Sequence, residues 1–186
     1  MTNPNDFVHL HVHSNYSILD AISSVDALVA EAVNNKYCAI ALTDHGNMHG
    51  SFEFYKTCKA NDIKPIVGVE FYCARRTIDE PKNKSNPTDH LVILARNEAG
   101  YKNLLKLTTK ASINGFSYVP RIDPAMIYEH REGLIGTSAC LSGGINSCAI
   151  GEKFYNRSTK LYEYTDPSYK RAVEHAALLK SSFEKD

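Results

Sequence analysis

An α/β fold is what this sequence predicts, and three observations carry the prediction. Strand-like apolar runs alternate with segments of helical periodicity along most of the chain. One run, Tyr37-Cys38-Ala39-Ile40-Ala41-Leu42-Thr43, is almost continuously apolar, as suits a parallel strand buried on both faces. The 186 residues suffice for one domain with a sizeable core, and 43% hydrophobic with 23% charged residues is ordinary for a globular protein. Strands alternating with helices imply parallel pairing.

The elements follow in order. Phe7 to His13 opens with the period-two alternation of a strand. Ser24 is placed to cap a helix whose apolar stripe is Val25, Leu28, Val29, Ala32 and Val33. The Tyr37–Thr43 run is the second strand, and residues 51–60 form the next helix. Lys64 to Tyr72 is the third strand. Arg75 to Thr88 is polar and contains Pro81 and Pro87, which predicts an exposed loop. His90 to Ala95 is the fourth strand, and the helix from about Glu98 to Ile113 turns Leu104, Leu105 and Leu107 toward the core. Pro124 opens a short helix ending near His130, Gly133 to Thr137 is the fifth strand, and Pro167 to Phe183 is an amphipathic helix. No internal repeat, low-complexity segment or domain linker interrupts the rhythm. By that rhythm a further strand should follow the last helix, so the chain reads as a truncated piece of something longer.

Composition excludes some functions. Acids and bases balance at 21 each, which argues against a strongly basic surface for nucleic acid while leaving room for a local patch. No apolar run is long enough to span a membrane, and the first residues lack the basic and apolar regions of a signal peptide. The expectation is a cytoplasmic protein without a membrane partner. Cys38, Cys58, Cys73, Cys140 and Cys148 are odd in number and contain no Cys-x-x-Cys, so reduced thiols, most of them small core residues, are expected.

The chemistry is concentrated where strands end. His9, His11 and His13 alternate, and would project from one strand face. Imidazoles packed so closely repel if charged and lose hydration if buried neutral, and a metal ion resolves both problems. Asp20 lies just beyond. The second strand ends in Thr43-Asp44-His45-Gly46-Asn47, the third carries Glu70, the fourth begins with Asp89-His90, and the fifth leads to Cys140. In parallel α/β folds functional groups gather at the carboxyl ends of strands. Imidazole, carboxylate and one thiolate together suit zinc, manganese or iron better than magnesium or calcium. A cluster of two or three such ions suits phosphoester hydrolysis. Taken singly, each residue has a plainer reading. Asp44-His45 could be a turn with a helix cap, Glu70 a surface acid, His90 a solvated strand start and Cys140 a core residue. Their recurrence at successive strand ends is what favours metal. His130 and His175 lack that placement and are expected on helix surfaces, while Asp44 and His49 are candidates to support the ligands or face substrate.

These segments resemble the polymerase and histidinol phosphatase (PHP) family, over nearly the whole chain. The resemblance is carried by His9-Leu10-His11-Val12-His13-Ser14-Asn15-Tyr16-Ser17-Ile18-Leu19-Asp20, by Ala41-Leu42-Thr43-Asp44-His45-Gly46-Asn47-Met48-His49-Gly50, and by Lys64-Pro65-Ile66-Val67-Gly68-Val69-Glu70. The run from His90 to Leu104, with Gly100-Tyr101-Lys102-Asn103-Leu104, and the segment Glu132-Gly133-Leu134-Ile135 are similar to the form carried by bacterial replicative DNA polymerases. The resemblance implies a distorted (β/α)7 barrel of PHP type, with His11, His13, Asp20, His45, Glu70, His90 and Cys140 at metal-binding positions. It implies two or three divalent ions (zinc, manganese or iron) and a 3′-5′ exonuclease acting on a DNA 3′ end. As implied partners it brings other replisome subunits, such as a proofreading subunit or sliding clamp. Ala21 and Gly144 depart from the family's usual glycine and glutamate, and an Asp-x-His pair from the family's last strand is absent from this chain. Residues 1–186 therefore read as the N-terminal part of a longer polymerase subunit. Two alternatives remain at this point: the same domain as a scaffold without chemistry, and a free-standing phosphatase for a small phosphate ester.

Overall fold

The computed structural model describes residues 7–183 except 84, 152, 157 and 159. Helix α1 (Val25–Asn34) begins where the Ser24 side chain accepts a hydrogen bond from the Ala27 N–H, as the cap predicts. Strand β1 (Ala39–Leu42) is wholly buried, and α2 (Ser51–Ala60) leads to β2 (Lys64–Ala74). Next come β3 (Thr88–Ala95), α3 (Glu98–Ile113), β4 (Arg121–Ile122) and α4 (Pro124–His130). The Asp123 side chain caps α4 by accepting from the Met126 N–H, with Pro124 in the first turn. The remaining elements are β5 (Leu134–Thr137), α5 (Gly144–Ile150), the strands β6 (Lys153–Asn156) and β7 (Leu161–Tyr164), and α6 (Tyr169–Phe183).

The sheet is mixed, which corrects the all-parallel expectation. Its order is β1-β2-β3-β5, with β4 also paired to β2. β1 and β4 run parallel to β2, but β3 is antiparallel to both β2 and β5. The cause is local: β2 and β3 are joined by residues 75–87 with no helix between them, so the chain turns back as a hairpin instead of crossing over. The β6–β7 ribbon is a separate antiparallel sheet.

The opening segment is not a regular strand. His9 makes one parallel bridge to Ile40, and Ala41 and Thr43 N–H groups donate to the His9 and Val12 carbonyls. The hairpin loop is also less open than expected. Arg121, 2% exposed, reaches under it and donates from Nε, Nη1 and Nη2 to the carbonyls of Gly115, Glu80 and Ile78 at 2.8–2.9 Å. Asn86 is fully buried and donates to the Thr77 and Glu80 carbonyls.

Alternation along β2 and β3 divides the sheet into two chemically distinct faces. Val69, Phe71, Cys73, Leu91 and Ile93 pack with Leu104, Leu107 and Ala111 of α3 and Met126 and Ile127 of α4. Leu105 is exposed rather than turned inward. The intervening residues Glu70, Tyr72 and His90 share the opposite face, where the functional candidates converge. A second core joins α1, β1 and α2 through Val25, Val29, Ile40, Leu42, Phe54 and Cys58. Among the described residues, no helix is long and apolar enough to cross a membrane.

Candidate metal centre

β1 and β2 run parallel, so their carboxyl-side residues reach one edge; the reversal of β3 brings its amino end, His90, to the same edge. β5 runs parallel to β2 and delivers Cys140 there. His11, His13, Asp20, His45, Glu70, His90 and Cys140 together line one cavity of about 380 Å³.

Glu70 is the centre of it. The side chain is 1% exposed and faces four imidazoles: His11 Nε2 at 3.2 Å, His13 Nε2 at 3.1 Å, and His45 Nδ1 and His90 Nδ1 at 2.9 Å. Cys140 Sγ lies 3.7 Å from Glu70 Oε1 and 3.6 Å from His90 Nδ1. Asp20, on the solvent side, sits 2.9 Å from His45 Nε2. The His13 and His45 rings are stacked, with centroids 4.2 Å apart and planes 16° from parallel.

Electrostatics follow from this packing. Burial pushes the Glu70 carboxyl upward, but the four surrounding imidazoles outweigh it and hold the group far below the usual carboxylate range. His45 is raised, chiefly by its contact with Glu70 and against the effect of burial. Asp20 is lowered by its hydrogen bond to His45.

The donor set fits divalent ions. His11 Nε2, His45 Nδ1 and Glu70 Oε2 are buried and close together, yet none has a hydrogen-bond partner in good alignment. Buried polar atoms left so are costly unless something else satisfies them. Three overlapping groups, His11-His13-Glu70, His13-Asp20-His45 and His45-Glu70-His90, each bring ligand atoms within 4.8 Å of one another. His13, His45 and Glu70 each belong to two of these groups, so neighbouring ions would share ligands.

Asp44 supports the site from behind. It is buried and accepts from the Ser14 N–H and Oγ and from Ser17 Oγ at 2.7–2.8 Å. Ser17 Oγ also accepts from the His45 N–H and lies 3.4 Å from His13 Nδ1, so one hydroxyl ties two candidate ligands to one carboxylate. Sequence reasoning missed this serine, and nothing in its spacing marks it. It also missed Tyr72, whose ring stacks near His45 (5.9 Å, 18°) and meets His90 edge-on at 5.3 Å. Period-two alternation from Glu70 was the available signal for Tyr72.

Other histidines fall outside. His9 packs against the Phe7 and Tyr37 rings instead of joining His11 and His13, because the opening segment is not held as a regular strand. His49 is exposed and does not line the cavity. His130 and His175 are half-buried rather than on the helix surface; His175 Nε2 approaches the buried Asp89, which Arg75 grips at 2.7 Å. Of the cysteines, Cys58, Cys73 and Cys148 are buried, Cys140 is half-buried and Cys38 is exposed, all as free thiols.

A family model described as the PHP domain matches residues 9–186. Subunit alpha of DNA polymerase III from Chlamydia trachomatis is 45% identical over 181 residues, 96% of this chain and 15% of that protein. The same subunit from Treponema pallidum is 47% identical over 145 residues, 74% of this chain and 12% of that one. In Helicobacter pylori it is 34% identical over 177 residues, 95% of this chain and 14% of its own length. The chain thus spans no more than 15% of the length of these curated relatives. Among solved structures, an amidohydrolase from Chromobacterium violaceum is 23% identical with a TM-score of 0.39, over 55% of this chain and 34% of that one, a likeness too loose to argue from. The match that spans residues 9–186 takes in all seven cavity residues, and on it this chain belongs to the PHP domain family.

Proposed function

We propose that this chain is the PHP domain at the N-terminus of a DNA polymerase III alpha subunit, and that its cavity holds two or three divalent ions for hydrolysis of a phosphodiester at a DNA 3′ end. The observation that carries the reading is Glu70, buried among four imidazoles with its Oε2 lacking an aligned partner. His11, His13, Glu70, His45, Asp20, His90 and Cys140 are the residues that would hold the ions. Ions so held make water a stronger nucleophile and neutralise charge on a transferring phosphate. The chain's own part is placement. Glu70 supplies buried negative charge to balance the ions, Asp44 and Ser17 fix the His13 and His45 segments, and Asp20 closes the solvent side. Zinc, manganese and iron all suit this nitrogen-rich donor set.

The same reading makes the five-stranded sheet part of a distorted seven-stranded barrel, completed by strands and an Asp-x-His ligand pair from beyond this chain. It carries with it a cytoplasmic location and other replisome subunits as partners. The test is digestion of a 3′-labelled oligonucleotide by the manganese-loaded protein. Hydrolysis that disappears on chelation and in His13→Ala is expected. Bound metal without any hydrolysis would favour the scaffold reading, and hydrolysis indifferent to both treatments would overturn the assignment.

A further inference from the structure

The candidate metal cavity shares Asp20, His45 and His90 with a second cavity of about 450 Å³ whose walls differ in kind. Ile18, Leu19, Tyr72, Val119 and Pro120 line this second space. Ile18 and Leu19 are 80% and 103% exposed, so two bulky apolar groups stand in solvent directly before the candidate ligand Asp20. Exposed apolar clusters of this kind mark binding surfaces. The backbone there is strained as well. Leu19 (φ 70°) and Tyr118 (φ 63°), the residue before Val119, both occupy the left-handed region that large side chains rarely adopt. Such outliers gather at ligand sites because the surrounding structure holds them there.

The floor is closely packed. Gly46 (φ 62°) lies beneath it, and a Cβ at that position would come within 2.8 Å of Pro120 Cγ and 3.5 Å of Tyr72 Cε2. Glycine is what lets the Pro120 ring settle so close to the His45 turn, with the Tyr72 ring at ordinary contact distance beside it. The Tyr72 ring lies nearly parallel to the His45 imidazole and meets His90 edge-on, so aromatic groups are contiguous from one cavity to the other.

We propose that the second cavity is a nucleobase shelf, which takes the flat ring of a nucleotide whose phosphate lies over the metal cavity. The proposal rests on the reading of a DNA 3′ end as substrate and adds to it where the terminal base is held, which would make binding depend on the base and not on the sugar phosphate alone. Stacking of a base on aromatic and apolar side chains strengthens binding by roughly tenfold or more. Tyr72, Leu19 and Val119 are the specificity-determining residues.

Calorimetric titration of the manganese-loaded chain with deoxyadenosine monophosphate and with deoxyribose 5-phosphate tests it, with bound manganese measured on the same samples. The nucleotide should bind about tenfold more tightly than the base-free sugar phosphate. That ratio should fall toward one in Tyr72→Ala, and in Leu19→Ala, whose side chain stands in solvent and is not needed for folding. Equal affinities for the two ligands, or a ratio unchanged in both variants, would overturn the shelf while leaving the metal reading intact. Absence of manganese together with absence of binding by either ligand would overturn both.

Discussion

Replacing Glu70 with glutamine separates metal binding from folding. The carboxylate is the sole acidic member of the His11-His13-Glu70 and His45-Glu70-His90 groups, so Glu70→Gln strips the anionic ligand from two of the three groups at once. The amide has the same shape and can still meet His90 Nδ1, now 2.9 Å from Oε1. The amide nevertheless gives up the attraction of all four imidazoles, so the metal-free variant should be less stable than the parent, partly offset by the cheaper burial of a neutral group. What separates the two is the gain on adding metal, not the starting stability. Metal changes the comparison. An ion that binds only the folded chain stabilises it by about 2.7 kcal/mol at a hundred times its Kd. At roughly 2–4 °C per kcal/mol for a domain of this size, the parent should gain roughly 5–11 °C in Tm on adding manganese. Differential scanning calorimetry with and without manganese reads this directly. Glu70→Gln should show no such gain. A variant that keeps the parent's full metal-dependent rise would refute the placement of Glu70 at the centre of the site.

Arg121→Met should destabilise the chain by about 3 kcal/mol, because one buried and two partly buried carbonyls of the hairpin loop and its neighbour lose their donor; urea denaturation measures it, and a cost below about 1 kcal/mol would contradict this placement of Arg121. Gly100→Ala should cost at least about 2 kcal/mol, since a Cβ there would lie 1.9 Å from the Gly133 carbonyl oxygen, as backbone on both sides resists movement. Asp44→Ala should lower metal affinity roughly 10–100-fold through loss of the Ser14 and Ser17 anchors, read by competition with a chelating dye. Acid should destabilise the fold through His130 and His175, whose pKa values burial holds below the ordinary 6.5. A depressed value means that the unfolded chain takes up protons which the folded chain refuses. Their contribution is therefore present above pH 6.5 and lost as pH falls through the folded values. His175→Gln should lose less stability than the parent between about pH 7.5 and 5.5, and an unchanged loss would contradict the assignment.

Much of the fold was legible where local chemistry acts alone. Pro124 after Asp123 marks the start of α4, and Ser24 before Val25 marks α1, because caps and fixed φ angles act within one turn of chain. Strand direction was not legible in that way, since it depends on partners distant in sequence. The loop from Arg75 to Pro87 nonetheless held the clue: a polar connection without helical periodicity favours a hairpin return over a parallel crossover, which is usually helical, and β3 does return antiparallel. β4, α5 and the β6–β7 ribbon left no periodic signal to read, being two, seven and four residues long respectively. At the site, strand alternation and strand-end position picked out all seven cavity residues together with the family resemblance. The same alternation misplaced His9, because a single bridge to Ile40 does not hold the opening segment in register. Ser17 and the left-handed Leu19 matter through tertiary contacts and backbone shape, which spacing does not record.

The measurement that bears most directly on the central claim is metal content per chain, by mass spectrometry, on protein purified without chelators or a histidine tag. At least one equivalent of zinc, manganese or iron is predicted for the parent, with loss of metal in a folded His13→Ala variant. No bound metal in well-folded parent protein, or parental metal content in the variant, would contradict it.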